Sequence, residues 1–184
     1  MSPDGTSGSS APVLETMLWR VAHLVVLVAL GVVASTSAAA ADPRVFRGPG
    51  IVLRTPSGWY VTNAPLNGIT NPVQRFVLSS YRVPTGRPDF DGNYAPPPRG
   101  VVVQLLEEMP PLNNGGVWPQ RPLRFRLPRL GLMEGFGGDR WGEVRFREHG
   151  RRFYIFLGIG RHASSARIGL SLESLDGMTI TARH

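Results

Sequence analysis

The sequence predicts an α+β fold, an antiparallel β-sheet completed by a C-terminal amphipathic helix. Three observations carry this. Runs of strand-forming residues, separated by Gly, Pro and Asn turns, fill most of the chain after residue 50. Glu148-His149-Gly150-Arg151 joins two of those runs as a tight hairpin, with Gly150 available for a positive φ. Ser164-Ser165 then opens a helix in which Ile168, Leu172 and Leu175 follow i, i+4, i+7 and form one apolar stripe.

Taken in order, the elements read as follows. Asp42 to Gly50 is a loose lead-in. Ile51 to Leu53 is a short strand, and Pro56-Ser57-Gly58 turns the chain into a second one, Trp59 to Val61. Asn63 to Pro72 is loop, and Val73 to Tyr81 is a longer strand. Val83 to Gly100 has no periodicity and ends in a triple proline. Val101 to Leu106 (VVVQLL) is a buried strand, and Asn113 to Gly116 is a strong turn signal. Leu123 to Leu127 alternates Leu, Arg, Phe, Arg, Leu, the period of a half-buried strand. Trp141 to Arg147 places Val144 and Phe146 on one face and Glu143, Arg145 and Arg147 on the other. Arg152 to Ile159 is apolar on both faces, as a central strand is; Phe153, Ile155, Leu157 and Ile159 share one side, Tyr154 and Phe156 the other. Gly177 ends the helix, and Met178 to Thr181 returns as a short strand.

Three stretches resemble the PsbP-like fold family: LRTPSGWYV at Leu53 to Val61, GRRFYIFLGIGRHA at Gly150 to Ala163, and LESLDGMTI at Leu172 to Ile180. The resemblance spans most of Ile51 to Thr181. It implies an antiparallel sheet flanked by helices, in domains that are generally binding or accessory modules and not enzymes. It also calls for a helix between the early and middle strands, where Asn63 to Gly100 shows none. Lipoprotein relatives carry a lipidated Cys, which this chain lacks.

The first forty residues read as an export signal. Leu24 to Val33 is an unbroken apolar run, Ser35 to Ala41 is a run of small residues, and Asp42-Pro43 follows. Ala39-Ala40-Ala41 fits the A-x-A rule and places cleavage after Ala41. Residues 1–41 are then extension and signal peptide, and 42–184 a single exported domain. Asp4 and Glu15 do not suit a positive n-region, whereas a start at Met17 leaves Arg20 and the free amine in that role. The competing reading is an uncleaved membrane anchor over residues 21–41, about the length of a spanning helix. Arg20 predicts an external C-terminus in both cases. Without a twin Arg, the general secretory route is expected.

Composition narrows function by exclusion. The 184-residue chain has no Cys, which removes disulfides, thiol chemistry and a lipidated cysteine. All of its Lys+Arg total of 20 is Arg, which removes Schiff-base chemistry, pyridoxal phosphate attachment and a P-loop lysine. Such Arg usage with abundant Ala, Gly and Pro suggests a high-GC bacterial genome. The chain's net charge is +7, and the basic excess, which lies in the exported part, favours anionic envelope partners. Nucleic acid is not expected outside the cell.

No catalytic, metal or cofactor constellation emerges. Asp89, Asp91 and Asn93 start a calcium-loop pattern, which Tyr94 and Gly100 then break. Gly131 to Gly138 is glycine-rich but precedes a strand, so it reads as a connection and not a phosphate cradle. His149, His162 and His184 share no element at metal-ligand spacing. Trp118, in a Gly/Pro loop, is the tryptophan expected to be exposed. The remaining candidate is basic. Arg121, Arg124, Arg126 and Arg129 form the densest run, and Arg145 and Arg147 share a strand face. Were the two strands neighbours, they would make an arginine-lined surface for a carboxylate or phosphate, or a solvated face offsetting Glu143 and Glu148. The expectation is a non-enzymatic, envelope-associated binding or accessory module without a cofactor, its partner an envelope protein or anionic ligand. The alternatives are an anchored subunit of an envelope or secretion machine, with membrane contact through residues 21–41, and an exported hydrolase.

Overall fold

Arg151 to Ile159 is apolar on both faces because it lies inside a sheet, between the two longest partners it could have. In the computed structural model, which describes residues 44–66, 70–84, 95–110, 116–134, 136–138 and 140–183, eight strands and one helix follow in order. They are β1 (Val45–Gly48), β2 (Ile51–Arg54), β3 (Tyr60–Thr62), β4 (Val73–Ser79), β5 (Val101–Glu108), β6 (Trp141–Glu148), β7 (Arg151–Ile159), α1 (Ser165–Asp176) and β8 (Thr179–Ile180). All described residues belong to one unit, Ala41–His184. The export signal, the Met17 start, the 21–41 anchor, the Asp89-Asp91-Asn93 pattern, Asn113 to Gly115 and His184 lie outside the described residues.

Five strands form one antiparallel sheet in the order β3-β4-β5-β7-β6, and three form a second in the order β1-β2-β8. Every residue of β5 is buried, as befits the middle of the larger sheet. The hairpin between β6 and β7 is as short as a hairpin can be: His149 (φ 49°) and Gly150 (φ 74°) both take positive φ, the geometry of a two-residue turn matched to strand twist.

The larger sheet buries both faces. On one, Val103, Leu105, Phe153, Ile155 and Leu157 pack with Ile51, Leu53 and Ile180 of the smaller sheet and Leu175 of the helix. Ile168 and Leu172 join this core as half-buried partners, so the predicted stripe of α1 is its inner face. On the other, Val102, Leu106, Trp141 and Tyr154 are covered by loop residues, among them Leu66, Val83, Trp118 and Met133. The division of β7 side chains between the two faces is the one its alternation predicts.

Helix α1 is capped at both ends from outside its own length. Ser164 accepts a hydrogen bond from the Arg167 backbone N–H at the N-terminus. Ser171 and Ser174 can be buried because their hydroxyls bond back to the carbonyls of Ile168 and Leu170.

Several expectations need correction. Val45–Gly48 is a strand, not a loose lead-in: the turn at Pro49-Gly50 folds it back on β2. Leu123 to Leu127 is not a strand; Pro122 and Pro128 bracket it and remove two ladder donors, leaving an irregular segment. Trp118 is only 6% exposed, because the second sheet face needs cover and its indole meets Tyr154 edge-on at 4.7 Å. One helix, not several, accompanies the sheets among the described residues. Tyr60, an aromatic of a predicted strand and so expected to cover the sheet, is instead 47% exposed on the edge strand β3.

Candidate functional site

The most heavily charged point in the domain is Glu107, on the core face of β5. The β-strand period puts it in line with Val101, Val103 and Leu105, so its carboxylate is carried inward and is wholly buried. Three arginines from distant segments meet it. Arg151 donates Nε to Oε1 at 2.8 Å and a terminal nitrogen to Oε2 at 2.7 Å. Arg75 reaches Oε2 at 2.5 Å, and Arg183 donates to Oε1 at 2.5 and 3.0 Å. The rest of the Arg151 fork donates to the carbonyls of Pro49, Gly50 and Thr181 at 2.9–3.2 Å. Burial alone would push the Glu107 carboxyl up; the Arg151 and Arg183 hydrogen bonds and the Arg75 and Arg151 charges outweigh it and hold the pKa below its ordinary value. The three guanidiniums enclose the carboxylate and occupy both of its oxygens. It ties β5, β7, the β1–β2 turn and the C-terminal segment together.

The six candidate arginines divide. Arg121 is structural: it pairs with Glu148 at 3.1 Å and donates to the Leu175 and Asp176 carbonyls at 2.8 and 3.3 Å. Helix α1 has no basic residue in its last turn, so Arg121 supplies the cation its C-terminus favours. We expect Arg121→Ala to cost about 1.5–3 kcal/mol of stability, the range for hydrogen bonds from a charged donor, with urea unfolding as the measurement. Arg145 is also engaged, through a hydrogen bond to Glu143 and a seat 5.4 Å from the Tyr154 ring centroid. That hydrogen bond raises the Arg145 pKa, so it stays cationic.

Arg124, Arg126, Arg129 and Arg147 are different. All four are exposed, and none has a side-chain partner among the described residues. Arg124, Arg126 and Arg129 lie on a segment that follows the outer edge of β6, the strand that carries Arg147. Segment 119–131 runs along that edge as a strap. At one end Arg121 N–H donates to the Arg147 carbonyl and Arg147 N–H to the Pro119 carbonyl. At the other, Gly131 and Trp141 exchange both bonds at 2.9 and 3.1 Å. Between them Phe125 is buried edge-on against Phe146 at 5.6 Å, its N–H donating to Asp176 Oδ1. A Cβ at Gly142 would lie 2.5 Å from Pro128 Cγ, so the strap sits directly on β6. The segment that carries Arg124, Arg126 and Arg129 thus lies beside β6 as a strap and not as a laddered strand.

Sequence reasoning missed the phase of this segment. Alternation assigned Leu123 and Leu127 to the core with Phe125. Instead Phe125 and Leu130 point inward, while Leu123 is 100%, Leu127 43% and Leu132 83% exposed. The prolines at 122 and 128 were the available signal, since a run they bracket cannot pair as a ladder.

Elsewhere, a cavity of about 300 Å³ lies where β6 begins and β7 ends, bordered by Pro96, Pro98, Trp141, Gly160 and two arginines, Arg140 and Arg161. Among the described residues no group of three or more His, Cys, Asp or Glu is placed to hold a metal ion, and no helix is long and apolar enough to cross a membrane. No protein-family model, curated protein or solved structure matches this chain.

Proposed function

We propose that this domain is a non-enzymatic, exported, envelope-associated module that binds an anionic ligand along the β6 edge. One observation carries the reading. Arg124, Arg126, Arg129 and Arg147 are spread along this edge, solvated and without carboxylate partners among the described residues, and the stretch from Arg121 to Met133 contains no acidic residue. A solvated charged face normally intersperses both signs, as Glu143 with Arg145 and Glu148 with Arg121 do here. Four guanidiniums left without carboxylate partners beside such paired ones favour phosphate or carboxylate groups, which the planar fork receives bidentately. The apolar run and small-residue site before residue 42 support export, and the PsbP-like resemblance, where such domains are accessory binders, belongs to the same proposal.

Dextran sulfate serves as a soluble polyanion to test the edge. Changing Arg124, Arg126, Arg129 and Arg147 together to Gln is expected to weaken binding by at least about tenfold at low salt, and by less as salt screens the charges. Changing Arg44, Arg54, Arg82 and Arg99, four exposed arginines off this edge, removes the same net charge. Equal losses from the two sets would mean that net charge alone acts and would end the reading.

A further inference from the structure

We infer that the anionic partner of the arginine edge is a lipid surface, into which Leu123 and Leu127 of the strap and Leu132 just beyond it insert. The inference rests on the proposed binding edge and specifies its ligand class.

Exposed leucines are ordinary when scattered singly. Here Leu123 and Leu132 are 100% and 83% exposed and Leu127 is 43% exposed within one ten-residue stretch. Each stands within three residues of an unpaired arginine: Leu123 beside Arg124, Leu127 beside Arg126, Leu132 after Arg129. That interleaving suits a headgroup boundary, where guanidiniums take phosphates and the neighbouring apolar side chains enter the acyl edge.

The strap is also built to present these side chains. Ten residues lie between its two bridges to β6, against five on the strand they flank, so the strap is not held in a ladder and some of its side chains are left outside. Phe125, Leu130 and Arg121 fix it from below. Because the outward residues are held before any contact, little ordering is needed on binding.

A protein partner fits less well. Protein interfaces centre on aromatic anchors seated in pockets. The exposed aromatic among the large apolar side chains, Tyr60, lies on β3 at the opposite end of the sheet order from β6. The strap offers projecting leucines and arginines in place of a concavity.

The chain has no Cys, so a single cysteine carries one label. Leu132→Cys, labelled with an environment-sensitive nitrobenzoxadiazole dye, is mixed as the full chain with vesicles of phosphatidylcholine, with and without phosphatidylglycerol. The label reports immersion of the strap even if Leu24 to Val33 attaches the chain to the bilayer. A Ser57→Cys label on the exposed β2–β3 turn is the reference. We expect a blue shift at position 132 only with phosphatidylglycerol, and none at position 57. Leu123→Ser with Leu127→Ser should weaken the position-132 response at least about tenfold in lipid concentration, since affinity scales with buried apolar area. Both leucines being exposed, this variant keeps its fold, and its dextran sulfate binding should be unchanged. Absence of a shift at 132, with dextran sulfate binding still dependent on the four arginines, overturns the lipid inference and leaves the anionic edge standing, with a polymer or protein as its partner. A shift of equal size on pure phosphatidylcholine also overturns it. Loss of both vesicle and dextran sulfate responses overturns the inference and the reading beneath it.

Discussion

Glu107→Gln is expected to lower the free energy of unfolding by about 3–5 kcal/mol at neutral pH, the cost of breaking a buried ion pair by removing one partner. Gln keeps the shape and two acceptor lone pairs but removes the negative charge that three guanidiniums share. Arg75 and Arg183 retain some solvent; the Arg151 side chain, 3% exposed, has none to turn to. The same residue sets an acid limit. Its folded pKa lies below the unfolded value, so its contribution is fully present above the ordinary glutamate range near ~4.3. It is lost as pH falls through the folded pKa. Urea unfolding at neutral pH should therefore separate wild type from variant widely, and the gap should close in acid. A gap that is constant with pH, or absent at neutral pH, would show that the cluster is not what holds these segments.

The second large effect comes from Gly160, just beyond β7. A Cβ there would stand 2.1 Å from the Pro97 carbonyl oxygen and 2.5 Å from that of Pro98. Both obstacles are backbone, so no rotamer can yield. The triple-proline turn is moreover held at this point: Gly160 N–H donates to the Gly100 carbonyl, and His162 N–H to that of Pro98 at 2.6 Å. Gly160→Ala is expected to cost about 3 kcal/mol, the upper end for overpacking. Gly169, inside α1, has nothing within 4 Å of its Cβ position, so Gly169→Ala should instead stabilise by up to about 1 kcal/mol through helix propensity. Opposite signs for one chemical change, nine residues apart, are measurable by thermal unfolding. A neutral Gly160→Ala would mean that the proline turn does not pack where the carbonyl distances put it.

Periodicity made most of the large sheet legible. The β6–β7 hairpin, the two-faced character of β7 and the stripe of α1 all follow from local pattern, because each is written in the turn residues or the side-chain spacing of its own segment. The strap was misread because period-2 alternation describes side chains and says nothing of whether backbone donors are free to pair. Strand β1 was missed because four residues, VFRG, carry too little pattern to register before a Pro-Gly turn. Glu107 was illegible for another reason. Its strand parity with Val101, Val103 and Leu105 pointed inward, but the partners that make its burial tolerable come from positions 75, 151 and 183. No local window contains them. Of the six arginines singled out, sequence located the group but could not separate the two engaged in structure from the four left in solvent.

Most domains are loosest at their ends, where fraying gives proteases a first grip. Here the opening strand β1 and the closing strand β8 flank the same partner, β2, and Arg151 from mid-chain grips the carbonyls of the first turn and the last residues at once. Loosening either end strips hydrogen bonds from the one guanidinium that also neutralises the buried carboxylate. Fraying at the two edges of the small sheet is thereby opposed from the core of the large one.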